Sequence, residues 1–162
     1  MKIRKGFTVM EAAIVIAIIA ILAAAVFVAI DPARRMHEAR NGMRNGDIYT
    51  ILDGVGKYKT DNNGAQYSVI SNMTEGSYYE LGTCSSGATC ALQPVQPACV
   101  NLLGIGYKYL ATIPKDPNIG TDAETKYYIM KDASGVITVG ACNAEGGGSG
   151  GSGTPPVIKV SR

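Results

Sequence analysis

The chain reads as an α+β protein in which a long N-terminal helix packs on a small antiparallel β-sheet. Three observations predict this. Ala12 to Ile30 is a run of 19 residues without a charge. Apolar residues then recur at three- and four-residue steps from Met36 to Tyr58, the period of a helix with one buried stripe. Beyond Asp61-Asn62-Asn63-Gly64 the chain becomes rich in Tyr and turn residues, with short alternating segments suited to strands.

The elements follow in order. The apolar run exceeds the length of about 18 residues at which a segment becomes a membrane-spanning candidate. It is rich in Ile and Val, which are indifferent helix formers in water. In lipid the backbone must satisfy its own hydrogen bonds, which forces helix regardless. Phe7 to Ile30 would span about 36 Å as helix, enough to cross a hydrocarbon core.

Asp31-Pro32 interrupts the pattern. Pro32 has no N–H and its ring crowds the preceding turn. Two readings follow: Asp31 caps a second helix with Pro32 at its first position, or one helix runs on through a kink from Phe7 to about Lys59. Met36, Ala39, Met43, Ile48, Ile51, Leu52, Val55 and Tyr58 form the apolar stripe of the continuation. Arg34, Arg35, Glu38, Arg40, Arg44 and Asp47 occupy much of the rest, and the lone His37 on this charged stretch reads as solvated.

In the second half, residues 77–81 and 106–110 are short strand candidates, the latter equally suited to ending a short helix. Residues 125–130 and 135–141 form the best hairpin pair, joined by a longer loop at 131–135. The Gly/Ser-rich stretch 145–153 reads as a flexible linker. The residues Val157 to Val160 read either as an edge strand or as a disordered tail. The organisation expected is thus a leader over 1–6, a helix over 7–59 with its apolar part at 7–30, a small β domain over 60–144, and a linker with tail or edge strand over 145–162.

The junction before the apolar run carries the functional signal. Lys2, Arg4 and Lys5 lead into Gly6, followed by Phe7-Thr8-Val9-Met10-Glu11. A secretory signal has its small-residue cleavage site after the apolar core; here the small residue precedes it. Gly6-Phe7-Thr8-Val9-Met10-Glu11 resembles the class III signal of type IV pilins and type II secretion pseudopilins. The resemblance covers these six residues and the apolar run; the remainder matches by architecture. It implies that a prepilin peptidase cuts after Gly6 and N-methylates Phe7, and that Glu11 pairs with the N-terminal amine of a neighbouring subunit. It also implies partners: copies of the chain itself in a helical homopolymer, membrane lipid before assembly, and an inner-membrane platform with its ATPase. The implied locations are the inner membrane before assembly and a surface filament afterwards. Family members often carry Gly and Pro within the membrane segment where this chain has Ala20 and Val28, so the helix break has moved to Pro32. The rival readings are a pseudopilin that drives protein export, and a membrane-anchored binding domain, such as an adhesin or DNA-uptake receptor, that never polymerises.

Composition narrows the alternatives. The chain has 15 Lys and Arg against 13 Asp and Glu, and loss of Lys2, Arg4 and Lys5 with the leader leaves it at about −1. No basic excess points to nucleic acid as a specific partner. The one His, His37, lies on the charged helix and no Ser or Cys nucleophile beyond the anchor comes with a His, so an enzyme is not expected, and no cofactor is implied. Cys84, Cys90, Cys99 and Cys142 lie in the part exported with the anchor, where disulfides form. Of three possible pairings, Cys84–Cys90 and Cys99–Cys142 is the expectation. A zinc or redox site lacks the Cys-x-x-Cys spacing it would need. Ile113-Pro114-Lys115-Asp116-Pro117 resembles a pseudopilin stretch that precedes a calcium loop. Asp116, Asn118, Asp122 and Glu124 offer hard oxygen ligands, without the tight spacing of a known calcium loop.

Overall fold

The computed structural model describes residues 6–84 and 87–162. The charged leader expected over residues 1–5 lies outside the described residues. Helix α1 runs over Val9–Ile30 and helix α2 over Pro32–Asp61, separated by Asp31 alone. Phe7 stands outside the helix because Thr8 is the N-cap of α1. No residue of α1 is buried. Helix α1 is long and apolar enough to cross a membrane.

Of the two readings of Asp31-Pro32, the capped second helix is the one observed. Asp31 adopts a left-handed backbone (φ 47°, ψ 72°) and its Oδ1 accepts the N–H of Arg34 at 3.3 Å, with Pro32 at the first helical position. A left-handed residue costs about 1–2 kcal/mol, and Asp tolerates it better than most. Proline inside a continuous helix costs about 3 kcal/mol. The break is therefore favoured over one kinked helix, by a margin of only a few kcal/mol. Helix α1 passes through Ala20 and Val28 without interruption.

Helix α2 buries Arg44, Ile48, Ile51, Leu52, Gly54 and Val55, whose spacing of three and four residues places them on one face. That face packs on a four-stranded antiparallel meander of β1 (Tyr78–Glu80), β2 (Tyr127–Lys131), β3 (Ile137–Ala141) and β4 (Lys159–Ser161), in the order β1-β2-β3-β4. The β2–β3 register pairs Ile129 with Val139 and Tyr127 with Ala141. Asp132 closes the intervening loop, its Oδ1 accepting the N–H groups of Ser134 and Val136, each at 2.9 Å. The core joins Ile48, Ile51 and Val55 to Leu81, Leu102, Ile129, Val139 and Ile158. A short helix α3 (Ser68–Ser71) contributes Ile70. Gly54 is required by packing, because a Cβ there would lie 2.7 Å from the Tyr109 carbonyl oxygen.

Two segments for which the sequence left alternatives take one of them, and a third, the expected linker, is not free. Residues 106–110 do not form a strand. They follow a 3-10 turn at Leu103–Ile105 and make a turn of their own, with the N–H of Leu110 bonded to the Gly106 carbonyl at 3.1 Å. The segment Val157 to Val160 ends in strand β4, paired to β3 through Val139 and Val160. The stretch 145–153 is seated along α2 as a strap, for reasons that involve the charges described below.

The cysteine pairing is also corrected: Cys84 bonds Cys99 and Cys90 bonds Cys142, in place of Cys84–Cys90 and Cys99–Cys142. The backbone explains it. Leu81 bridges Val100 in parallel, which brings residue 99 beside the chain leaving β1, and the N–H of Leu92 bonds the Cys142 carbonyl at 3.2 Å, which brings the Cys90 loop to the end of β3. Glu80 lies near the Cys84–Cys99 pair, but both sulfurs are spent in the disulfide. The buried Glu80 carboxylate instead accepts the N–H of Thr89 at 2.7 Å and that of Lys126 at 3.2 Å.

Candidate functional site

The N-terminal site is built by local chemistry. Thr8 has an extended backbone and its Oγ1 accepts the N–H of Glu11 at 3.2 Å. The Glu11 carboxylate reaches back to accept the Thr8 N–H at 3.0 Å and the Thr8 hydroxyl at 2.9 Å. This is a reciprocal capping box, which satisfies helix N–H groups that have no carbonyl partner. Glu11 therefore has a defined rotamer before any second chain arrives, and its charge sits at the positive end of the helix dipole. The signature Thr-x-x-Glu ahead of an apolar run is legible in the sequence, although the Thr8 half of it is not apparent from the cleavage motif alone.

Around this site the surface is open. Phe7 is 77% exposed, and a Cβ placed on Gly6 would meet nothing within 4 Å. Both residues flanking the Gly6–Phe7 bond are thus exposed. Val9, Met10, Ile14, Val15 and Ile18 are exposed on successive turns of α1. An apolar surface of this extent on a helix none of whose residues is buried is the signature of an outside partner, lipid or protein.

Residues 1–27 match the family model of the prokaryotic N-terminal methylation motif. The chain carries a class III prepilin signal. No curated protein and no solved structure matches the chain. The prepilin-type N-terminus implies processing by a prepilin peptidase and assembly into pilus-like polymers, and with α1 it implies anchoring in the membrane before assembly. The match stops short of the body.

The second cluster lies where α2 meets the strap and the loop before β2. Arg44 is fully buried and forms a two-pronged pair with Asp116, Nε to Oδ2 at 2.7 Å and Nη2 to Oδ1 at 3.1 Å. Its Nη1 also donates to Glu145 Oε2 at 2.7 Å and to Asn41 Oδ1 at 2.9 Å. Arg40 grips the same Glu145 through two bonds of 2.7 and 2.6 Å. Asn41 binds the Glu145 backbone on both sides, donating to its carbonyl at 2.7 Å and accepting its N–H at 3.0 Å. The hydrogen bonds from Arg40, reinforced by Arg44, hold the Glu145 carboxyl down at about 2 despite the opposing effect of burial. Beside them the Tyr127 hydroxyl donates to Asp47 at 2.6 Å, and burial with this bond pushes its pKa well up.

This network accounts for the calcium candidates. Both Asp116 oxygens are taken by Arg44, and Oδ1 also accepts the N–H groups of Asn118 at 2.9 Å and Ile119 at 3.1 Å. A guanidinium occupies the charge-balancing role that a cation would have. Asp122 lies apart, exposed and paired with Lys115 at 3.0 Å, and Glu124 turns to Lys126. Pro32 stands at the helix break as described. His37 is not a solvated residue: its Nδ1 lies 2.9 Å from the Gly146 carbonyl and its Nε2 3.6 Å from Glu145. Arg40, Arg44, Asn41 and Glu145 were not distinguished by sequence reasoning. Their partners are more than 70 residues away in the chain, and only the presence of two Arg on the inner side of an otherwise apolar stripe hints at buried acids.

Proposed function

We propose that the chain is a structural subunit of a type IV pilus-like extracellular filament. A prepilin peptidase cuts after Gly6 and N-methylates Phe7. Neighbouring copies then pack α1 against α1, exchanging lipid for protein contact, while the small β domains form the outer layer. Glu11 pairs with the Phe7 amine of an adjacent copy. Two opposite charges in low dielectric attract strongly, and removing one leaves the other buried without compensation. The capping box supports this role, because it holds the carboxylate at the start of the helix, four residues from the new amine. The observation that carries the proposal is the combination of a class III signal with a following helix none of whose residues is buried within the chain. The energy for extraction from the bilayer comes from a cytoplasmic ATPase acting through a membrane platform protein.

The second reading is a type II secretion pseudopilin, favoured by the Ile113–Pro117 stretch. Mass spectrometry of the protein in sheared surface fractions separates the two. A peptide beginning at N-methylated Phe7 in the sheared fraction supports the pilus. The same processed end confined to membranes supports the pseudopilin. A mature protein still beginning at Met1 overturns both, and leaves a plain signal anchor carrying a binding domain. Glu11→Ala provides the second arm: filaments are lost while surface display of an anchored monomer would persist.

A further inference from the structure

The stretch 145–153 has the composition of a linker, yet it is fastened at both ends. Its base is Glu145, held by Arg40, Arg44 and Asn41. From there it runs toward the N-terminal end of α2, and the Gly146 carbonyl meets His37 Nδ1 at 2.9 Å. It turns tightly at Ser149–Gly151, where the N–H of Gly151 bonds the Gly148 carbonyl at 2.9 Å. At the tip, the N–H of Gly150 donates to Asp31 Oδ2 at 2.8 Å. This bond, with the Ser149 hydroxyl beside it, draws the Asp31 carboxyl below its ordinary range.

Glycine is required along this path. Gly150, Gly151 and Gly153 have φ of 66°, 76° and 99°, where other residues are strained. A Cβ on Gly151 would lie 2.5 to 3.1 Å from three atoms of the His37 ring. The strap thus lies against α2 with no room for a side chain there, and its tip ends on the one residue that separates the two helices. That residue holds a left-handed backbone, and its carboxylate is shared between the cap of α2 and the strap.

We propose that the strap 145–153 is a latch on the helix break, fixing the direction in which α1 leaves the body. With the tip seated, Asp31 is held left-handed and α1 has one direction. With the tip displaced, the left-handed cap at Asp31 loses one of its supports, and α1 samples further directions, among them that of a helix kinked only at Pro32. The tip is held by exposed contacts of Gly150 and Ser149 with Asp31, while the base is a multiply bonded ion cluster, so the tip can open without the body unfolding. A membrane helix that has to line up with other helices gains a defined orientation from the latch without needing an interface of its own on the body. The inference concerns the single chain and stands whether or not the chain polymerises.

The test is a spin-label distance measurement on the full chain in detergent micelles, with labels replacing Leu22 on α1 and Thr50 on α2. A second pair, replacing Thr50 and Tyr107, reports on the body. Asp31→Gly keeps the left-handed backbone accessible but removes both the acceptor for Gly150 and the cap of α2, whereas Gly151→Ala disturbs the strap alone. Gly151→Ala keeps Asp31 and wedges the strap away from His37. The wild type is expected to give one narrow α1–α2 distance. Both variants are expected to broaden it toward the roughly 42 Å of an uninterrupted helix over that separation, with the body distance unchanged. An α1–α2 distribution that stays narrow and unshifted in Asp31→Gly overturns the latch and leaves Pro32 alone as the cause of the bend. That variant alters one exposed turn, so it carries the test if Gly151→Ala perturbs the body.

Discussion

Helices α1, of 22 residues, and α2, of 30, are consecutive, yet they are opposites in how they meet the rest of the molecule. Helix α1 is apolar on every side and buries nothing; α2 is polar on average and buries six residues. The difference shows that hydrophobicity alone does not direct a helix into a core. A helix docks on a sheet when its apolar residues share one face and the rest is tolerated by water. Helix α1 has no such polarity around its circumference, so its surface must be covered from outside the chain.

Substitutions can break or sharpen this contrast. The largest effect is expected at Arg44. Arg44→Ala leaves Asp116 and Glu145 without their shared cation in a dry site, where breaking a buried pair costs about 3–5 kcal/mol. Urea unfolding of the full chain in detergent, followed by near-ultraviolet circular dichroism of the tyrosines, reads this loss. A change below about 1 kcal/mol would mean that water reaches the site and that Arg44 contributes no more than a surface ion pair does. Next comes Ile51→Ala, which removes a fully buried side chain of α2 and should cost about 2–5 kcal/mol. Gly54→Ala follows. It forces a methyl toward the Tyr109 carbonyl and should destabilise by about 1–3 kcal/mol, whereas Gly46→Ala, whose Cβ would meet nothing within 4 Å, should stabilise α2 slightly through helix propensity.

Acid gives a graded test of the strap. The folded carboxyl of Glu145 lies at about 2, below its ordinary 4.5. Its contribution is therefore fully present above about pH 4.5 and is lost as pH falls toward 2. Thermal unfolding of the wild type should lose stability across that window more steeply than Glu145→Gln, which has no proton to gain there. If the two curves run parallel, Glu145 is not the group that titrates.

The smallest effect belongs to α1. Leu22→Ala on the exposed apolar surface should change the stability of the body by no more than about 0.5 kcal/mol, measured by the same urea unfolding. A loss comparable with that of Ile51→Ala would reveal a contact between α1 and the body and would erase the contrast between the helices.

Much of the architecture was legible before any coordinates. The long apolar run, the Asp31-Pro32 break, the stripe of α2 and the 125–141 hairpin all rest on local chemistry: residue period, proline geometry and turn composition. The methylation motif was legible for the same reason, since its residues are consecutive and a peptidase reads them as a linear signal. What was not legible depended on distance. The strap resembled a linker because glycine composition reports freedom in the unfolded chain, and it says nothing about a Glu145 that finds two arginines on α2. Residues 106–110 alternate like a strand, but Gly106 and the preceding 3-10 turn redirect them before any partner strand is reached.

By itself, then, the sequence determined the N-terminal signal, the apolar and the striped helical stretches with the interruption at Asp31-Pro32 between them, and the α+β class, because each is set by interactions among near neighbours along the chain; that the expected helix over 7–59 divides into two at Asp31 was decided by the structure. Only the tertiary structure decided which cysteines pair, that Asp116 binds Arg44, and that residues 145–153 lie along α2 and reach Asp31. Those outcomes require segments far apart in sequence to be brought together, and the position of each partner is set by the packing of the sheet on α2, which no local pattern encodes.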